Sequence, residues 1–424
     1  MQRKHIVRGL AASLALAAGG FSPAARAADI ELVVDYAYPE MFNAVQAEIA
    51  KQFHAKFPAY TVKFRAPTTD YEAAAQQALR HAVTKQMADV SFQGLNRQRL
   101  FVDRKLAVDL NAFIKNEKDW NQRGYSPSLM SLGQVGGQQA GIGFSLSTPV
   151  VYYNMDLLAK AGVKADALPK TWDEIIAAAD KARAATPGTN GLHYDWEITG
   201  NWLWQAMVAS HGGRMMDEAE KRVTFGDAAG QAAIEQMGRM VKNGTMQNLS
   251  YKEAAQLFVT GKLAVISSTT ARLPGFEKQV AGKFRIVTGL FPVYGDNAKV
   301  PAGGNAAMMF ATDPERQKAA WEFIKFATGP EGATIMTKGT GYFPANTLPI
   351  ANPQQLGGFY DANPNQYTAV KQIPRLTGWF AFPGENGLKV TDVINDRLQT
   401  VFDKSAEPDA ALKGMVADVQ KLLK

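Results

Sequence analysis

IELVVDYAYPEMFNAVQAEIAKQFHAKFPAYTVKFRAPTTDYEAAAQQALRHAVTKQMADVSF, residues 30–92, holds three apolar runs separated by two amphipathic stretches. Ile30 to Val34 reads as a buried strand. Pro39 stands at a first helical position, and Met41, Val45, Ile49 and Phe53 recur at four-residue spacing on one face. Tyr60 to Arg65 is a second strand, Ala66 to Asp70 a loop, and about Tyr71 to Lys85 a second helix. Asp89 to Phe92 is a third strand. Strand alternating with helix predicts an α/β fold with an open sheet.

The pattern recurs towards the C-terminus. Pro149 to Asn154, Leu263 to Ser267 and Phe284 to Phe291 read as strands. Thr171-Trp172-Asp173-Glu174 is a capping box, with Thr171 as N-cap. Asp313-Pro314 starts a helix with Ala320, Phe323, Ile324 and Ala327 on its core face, and Gly329-Pro330 stops it. No single linker divides the chain. Glycines punctuate it instead at 136–137, 141–143 and 303–304, as expected for two lobes crossed several times at a hinge.

Outward to the N-terminus, Arg3, Lys4 and Arg8 precede an apolar stretch from Leu10 to Phe21, and Ala25-Arg26-Ala27 follows. This reads as a signal peptide (1–27) cleaved after Ala27. The apolar stretch is shorter than the roughly 20 residues a membrane span needs. The chain has no cysteine, which removes disulfides, thiolate metal sites, cysteine catalysis and a lipid attachment point. The expectation is an unanchored protein of the periplasm.

Of the formal charge of +7, Arg3, Lys4, Arg8 and Arg26 leave with the signal, and about +3 remains, interspersed with acids. Nothing in this pattern points to nucleic acid. Catalytic and cofactor signatures are missing too. The histidines beyond the signal (His54, His81, His193, His211) lack metal-ligand spacing, and no phosphate-binding loop or dinucleotide fingerprint occurs. No catalytic residue, metal or cofactor is assigned. A two-carboxylate glycosidase leaves no spacing signature, so a periplasmic carbohydrate-active enzyme stays as an alternative.

Aromatics gather where strands end. Tyr36 and Tyr38 follow the first strand, Tyr71 follows the second, and Gln93 follows Phe92; Trp196, Trp202 and Trp204 cluster. Ligands of open α/β sheets bind beyond the carboxyl ends of strands. Flat rings suit the C–H face of a sugar or polyol, and polar neighbours suit its hydroxyls. The competing reading is that each ring is core packing.

Ser147-Thr148-Pro149-Val150-Val151-Tyr152-Tyr153-Asn154, Ala161-Gly162-Val163, Lys170 to Glu174, and Phe258-x-x-Gly261-Lys262-x-Ala264-Val265 occur in this order, followed by Ala327 to Gly332 and Gly339 to Pro344. Together they resemble the solute-binding proteins of carbohydrate ABC importers, the maltose-binding-protein family. Within it they look most like the glycerol-3-phosphate-binding branch. The resemblance implies two α/β lobes with a ligand cleft between them: 28–142 plus 303–346, and 143–302 plus 347–424. It implies ligand contacts from Tyr71, from Gln93 (a glutamate in that branch), and from Ser147, Thr269 and the Gly304 backbone. Trp202 would be an aromatic platform, and Tyr342 would close the pocket.

One departure concerns phosphate. That branch carries an arginine in a Gly-Leu-Arg run, where this chain has Gly387-Leu388-Lys389. Lys389 offers a point charge without arginine's bidentate fork, and Arg272 and Arg375 are alternative cations. The function expected is capture of a sugar, polyol or glycerol phosphate by a monomeric, non-enzymatic binding protein. Lobe closure would then deliver the solute to a membrane permease. A binding protein serving a chemoreceptor is the other alternative.

Overall fold

The structure is a computed structural model and describes residues 29–384 and 386–423. The expected signal lies outside the described residues.

Two sheets organise the chain. The first has six strands in the order 343–344, 142–147, 303–309, 90–94, 30–35, 60–64. Ile30–Asp35 pairs in parallel with Tyr60–Phe64 and Val90–Gly94, with Leu32 opposite Val62 and Val34 opposite Val90. Helical crossovers permit this parallel pairing. Gly303–Met309 runs antiparallel between Val90–Gly94 and Ile142–Ser147. The second sheet has the order 286–290, 149–154, 263–269, 190–194.

Helices cover both sheets through the faces their spacing provides. The helix Pro39–Lys56 buries Phe42, Val45, Ile49 and Phe53. Phe53 meets Phe323 of the helix Pro314–Thr328 edge-on at 5.2 Å between ring centres. Met41, on the same face, packs partly against this core and also lines a cavity between the lobes. The Thr171 capping box forms as expected: Thr171 Oγ1 accepts from the Glu174 N–H, and the Glu174 carboxylate accepts from the Thr171 N–H. Gly329-Pro330 ends one helix and starts another, Pro330–Gly339.

The chain passes between the sheets at Thr148, around Ala302 and after Pro344. Ile142–Ser147 belongs whole to the first sheet, so the first passage lies at Thr148 and not at the expected 142/143 boundary. Thr148 is pinned there: its N–H donates to Thr270 Oγ1 at 3.3 Å, and its Oγ1 accepts from Gln372 at 2.7 Å. At the second passage the Ala302 N–H donates to the Thr377 carbonyl. Among the described residues no helix is long and apolar enough to cross a membrane.

Candidate ligand-binding cleft

The three passages bring strand ends of both sheets to face one another across a cleft with about 330 Å³ of room. The first lobe supplies Tyr38, Tyr71, Ser147, Gly303, Gly304 and Tyr342; the second supplies Asp195, Thr199, Trp202, Tyr251, Thr269, Arg272 and Trp379. The volume falls within the roughly 300–1,000 Å³ usual for small-molecule sites.

The first-lobe wall is built from two helix starts. Tyr38 caps Pro39–Lys56 in a left-handed conformation (φ 57°), and its carbonyl accepts from the Met41 and Phe42 N–H groups. That backbone is rare for a bulky residue and is stabilised only by its surroundings. It aims the ring at Tyr71, which it meets edge-on at 4.9 Å. Tyr71 opens the helix Tyr71–Val83, whose N-cap Asp70 accepts from the Ala73 N–H at 2.7 Å. Asn305 Nδ2 donates to the Tyr71 hydroxyl at 3.1 Å. Tyr342 stacks on Phe42 with ring centres 5.7 Å apart.

The floor is the edge of Gly303–Met309. A Cβ on Gly303 would lie 2.7 Å from Ser147 Oγ and 2.9 Å from Trp202 Cζ2, so glycine here is what lets the tryptophan of the other lobe come down onto the strand. Gly304 has φ 106°, and a Cβ would lie 1.9 Å from the Ser145 carbonyl oxygen. That backbone belongs to glycine.

In the second lobe, Trp202 opens the helix Trp202–Ser210 after Gly200 and Asn201, both at positive φ. Trp379, whose indole N–H donates to the Gly200 carbonyl at 3.3 Å, lies 6.1 Å from it. Asp195 follows the strand Asn190–Tyr194 and is 3% exposed. Burial pushes its carboxyl up to about 6, against the opposing pull of the Ser268 hydroxyl, which donates to it at 2.6 Å, and of Arg272. Arg272 extends over the Tyr251 ring at 4.5 Å, a cation–π contact. Glu40 and Glu197 also line the cleft, so its carboxyl groups outnumber its one cation among the described lining residues.

The structure thus gathers Tyr38, Tyr71, Ser147, Trp202, Thr269, Gly304 and Tyr342 at one cavity. It does not bring Tyr36, Gln93 or Lys389 there. Tyr36 turns into the core, its ring edge-on to Phe64 and its hydroxyl on Asn43 Oδ1 at 2.6 Å. Gln93 lies buried mid-sheet opposite Ala306, its amide donating to Ser91. Lys389 is exposed on the helix Gly387–Phe402, outside the cavity lining. Arg375 reaches the carbonyls of Gly295 and Ala298 instead. Trp196 and Trp204 are core residues, against Phe402 and Phe225. Asp195, Tyr251 and Trp379 were missed. Asp195 follows a strand that polar residues and Gly191 leave unmarked in the sequence, and Trp379 sits in an irregular stretch, so neither carries a local signal.

Two α/β lobes joined by several crossings around an aromatic, hydrogen-bonding cleft define a binding protein of the periplasmic type. Residues 48–354 match the family described as bacterial extracellular solute-binding protein, and the chain belongs to that family. It is 28% identical over 295 residues to the sn-glycerol-3-phosphate-binding periplasmic protein UgpB of Yersinia enterocolitica, an alignment covering 66% of this chain and 66% of that protein. The fold is shared with UgpB of Mycobacterium tuberculosis, solved in complex with glycerophosphocholine (TM-score 0.80, 21% identity, 92% of this chain and 98% of that one). It is shared also with a cyclic alpha-maltosyl-1,6-maltose binding protein of Arthrobacter globiformis (TM-score 0.79, 18% identity, 93% and 99%).

Proposed function

We propose that this chain is the periplasmic solute-binding component of an ABC importer. It captures a sugar, polyol or glycerol-phosphate-type solute between its lobes and delivers it unchanged to a membrane permease. The observation that carries this reading is that aromatic rings and hydrogen-bonding groups from both lobes line one cavity. A solute touching both walls binds the closed form better than the open one, and only such a difference drives closure. The relatives named above support the solute class. The location rests on reading Arg3, Lys4 and Arg8, the apolar stretch Leu10 to Phe21 and Ala25-Arg26-Ala27 as a signal cleaved after Ala27.

Within that class the cleft's charge favours ligands with little negative charge. A phosphomonoester dianion meets Arg272 but also Asp195, Glu197 and Glu40. Neutral polyols and phosphodiesters balance this lining better, with Arg272 reaching a single negative charge. A thermal-shift panel of maltose, glycerol, sn-glycerol 3-phosphate and glycerophosphocholine tests the reading. A true ligand at 100 times its Kd adds about 2.7 kcal/mol of stability. No shift with any sugar, polyol or glycerophosphate overturns the solute class, and conversion of the solute on incubation overturns capture without turnover.

A further inference from the structure

Beside the cleft lies a second, smaller space of about 210 Å³ between the lobes, bordered by Glu72, Arg97, Arg99 and Gly200. The side chains separating the two spaces bridge the lobes. Thr199 Oγ1, in the second lobe, donates to Glu72 Oε2 at 3.3 Å. The other oxygen of Glu72 pairs with Arg97. Farther out, Arg99 Nη2 donates to Glu220 Oε1 at 2.5 Å, over a sequence separation of 121 residues.

We propose that Glu72 and the Arg99–Glu220 pair form an interlobe clasp. It sets the share of closed molecules before any solute arrives, which makes these side chains positioning residues for capture. The proposal rests on reading the cleft as the solute site.

Each half of the clasp is fixed to its own lobe. Arg99 lies on the helix Gln98–Asp103, whose Phe101 is fully buried and meets Phe310 at 5.1 Å. Glu220 lies in a turn where Asp217 Oδ1 accepts from the N–H groups of Lys221 and Arg222. The Met216–Val223 bridge closes that turn, and the Val223 N–H donates to Gln420. The Arg99–Glu220 contact therefore needs the lobes to approach.

Glu72 adjoins Tyr71 in the first turn of one helix, and Thr199 lines the cleft with Trp202. A shift of the clasp is thus a shift of the cleft walls. The Glu72 and Arg97 side chains are 29% and 12% exposed, so this part of the clasp escapes much of the screening that makes open surface pairs nearly worthless. A solute binding only closed molecules has its apparent affinity scaled by the closed fraction.

The chain has no cysteine, so Val83→Cys with Lys413→Cys gives two label sites without background. These positions are 85% and 76% exposed, one on each lobe. Pulsed dipolar distances between spin labels are measured without solute in four backgrounds: Arg99 and Glu220 intact, Arg99→Glu, Glu220→Arg, and both reversals together. The single reversals are expected to spread the distribution towards longer distances and to weaken solute binding about three- to tenfold. The double reversal restores both.

Distributions in the single reversals matching the intact pair overturn the proposal, as does a double reversal as open as either single one. Restoration in the double variant separates lost clasping from lost folding. Because the distances are read without solute, failure of every solute in the panel removes the proposed function and leaves the clasp to be judged on distances alone.

Discussion

Asp195 stands at the carboxyl end of Asn190–Tyr194, with the Ser268 hydroxyl on one oxygen and the cleft beside it. Its folded pKa of about 6 lies above the ordinary carboxylate value because of burial. The folded state therefore holds a proton that the unfolded chain has released between about pH 4 and 6. Stability from this group is full below that window and falls as pH rises through it. Binding runs the other way, because an ionised carboxylate accepts hydroxyl hydrogen bonds more strongly. Solute affinity is expected to drop as pH falls through about 6, and Asp195→Asn to bind more weakly at pH 7.5 but without that step. Calorimetric titrations at pH 5, 6 and 7.5 check this; an identical step in the Asn variant would remove Asp195 from the site. At this scale the sequence placed strand ends but not side-chain faces. Tyr36 and Tyr38 flank one bend, yet only the left-handed backbone of Tyr38 turns its ring to the cleft. Gln93 falls on a face set by its register with Ala306, which one sequence does not reveal. Lys389 stands one residue before Val390, the first of the fully buried Val390, Ile394 and Leu398, and is carried off the packed face.

The strand Gly303–Met309 shows how one element serves fold and site with adjacent glycines. Gly304→Ala forces a side chain into φ 106° against a carbonyl and is expected to destabilise the protein by about 2–3 kcal/mol or more. In Gly303→Ala the atoms nearest the new methyl are the Ser147 hydroxyl and the Trp202 ring. It is expected to weaken solute binding at least tenfold while lowering stability less than Gly304→Ala does. Urea unfolding and calorimetry on the two variants separate the roles, and the reverse ranking would contradict them. The helix Trp172–Ala185 gives a control. Thr171→Ala removes its capping box at a cost of about 1 kcal/mol, with solute affinity unchanged. Elements with local signals were legible in the sequence: the Pro39 start, the Thr171 cap and the Asp313 cap. The strands Ile142–Ser147, Asn190–Tyr194 and Gly303–Met309 were not. They are buried almost throughout and interrupted by glycine or polar residues, so neither alternation nor a clean apolar run marks them.

Across the whole molecule, the order of motifs carried the two-lobed architecture, while the cleft depends on how three chain passages set the lobes against each other. That setting joins residues more than a hundred positions apart, such as Glu72 with Thr199 and Arg99 with Glu220, which no local pattern encodes. It also explains why Trp379 and Arg272 enter the site while Lys389 stays outside. The central claim is that one solute is held by walls from both lobes. Isothermal titration of the best solute of the panel tests it, using the unaltered protein, Tyr38→Ala from the first lobe and Trp379→Ala from the second. The account predicts one solute per chain and at least a tenfold loss of affinity in each variant, with both variants still folded by circular dichroism. Undiminished binding in either variant would place the solute elsewhere and contradict it.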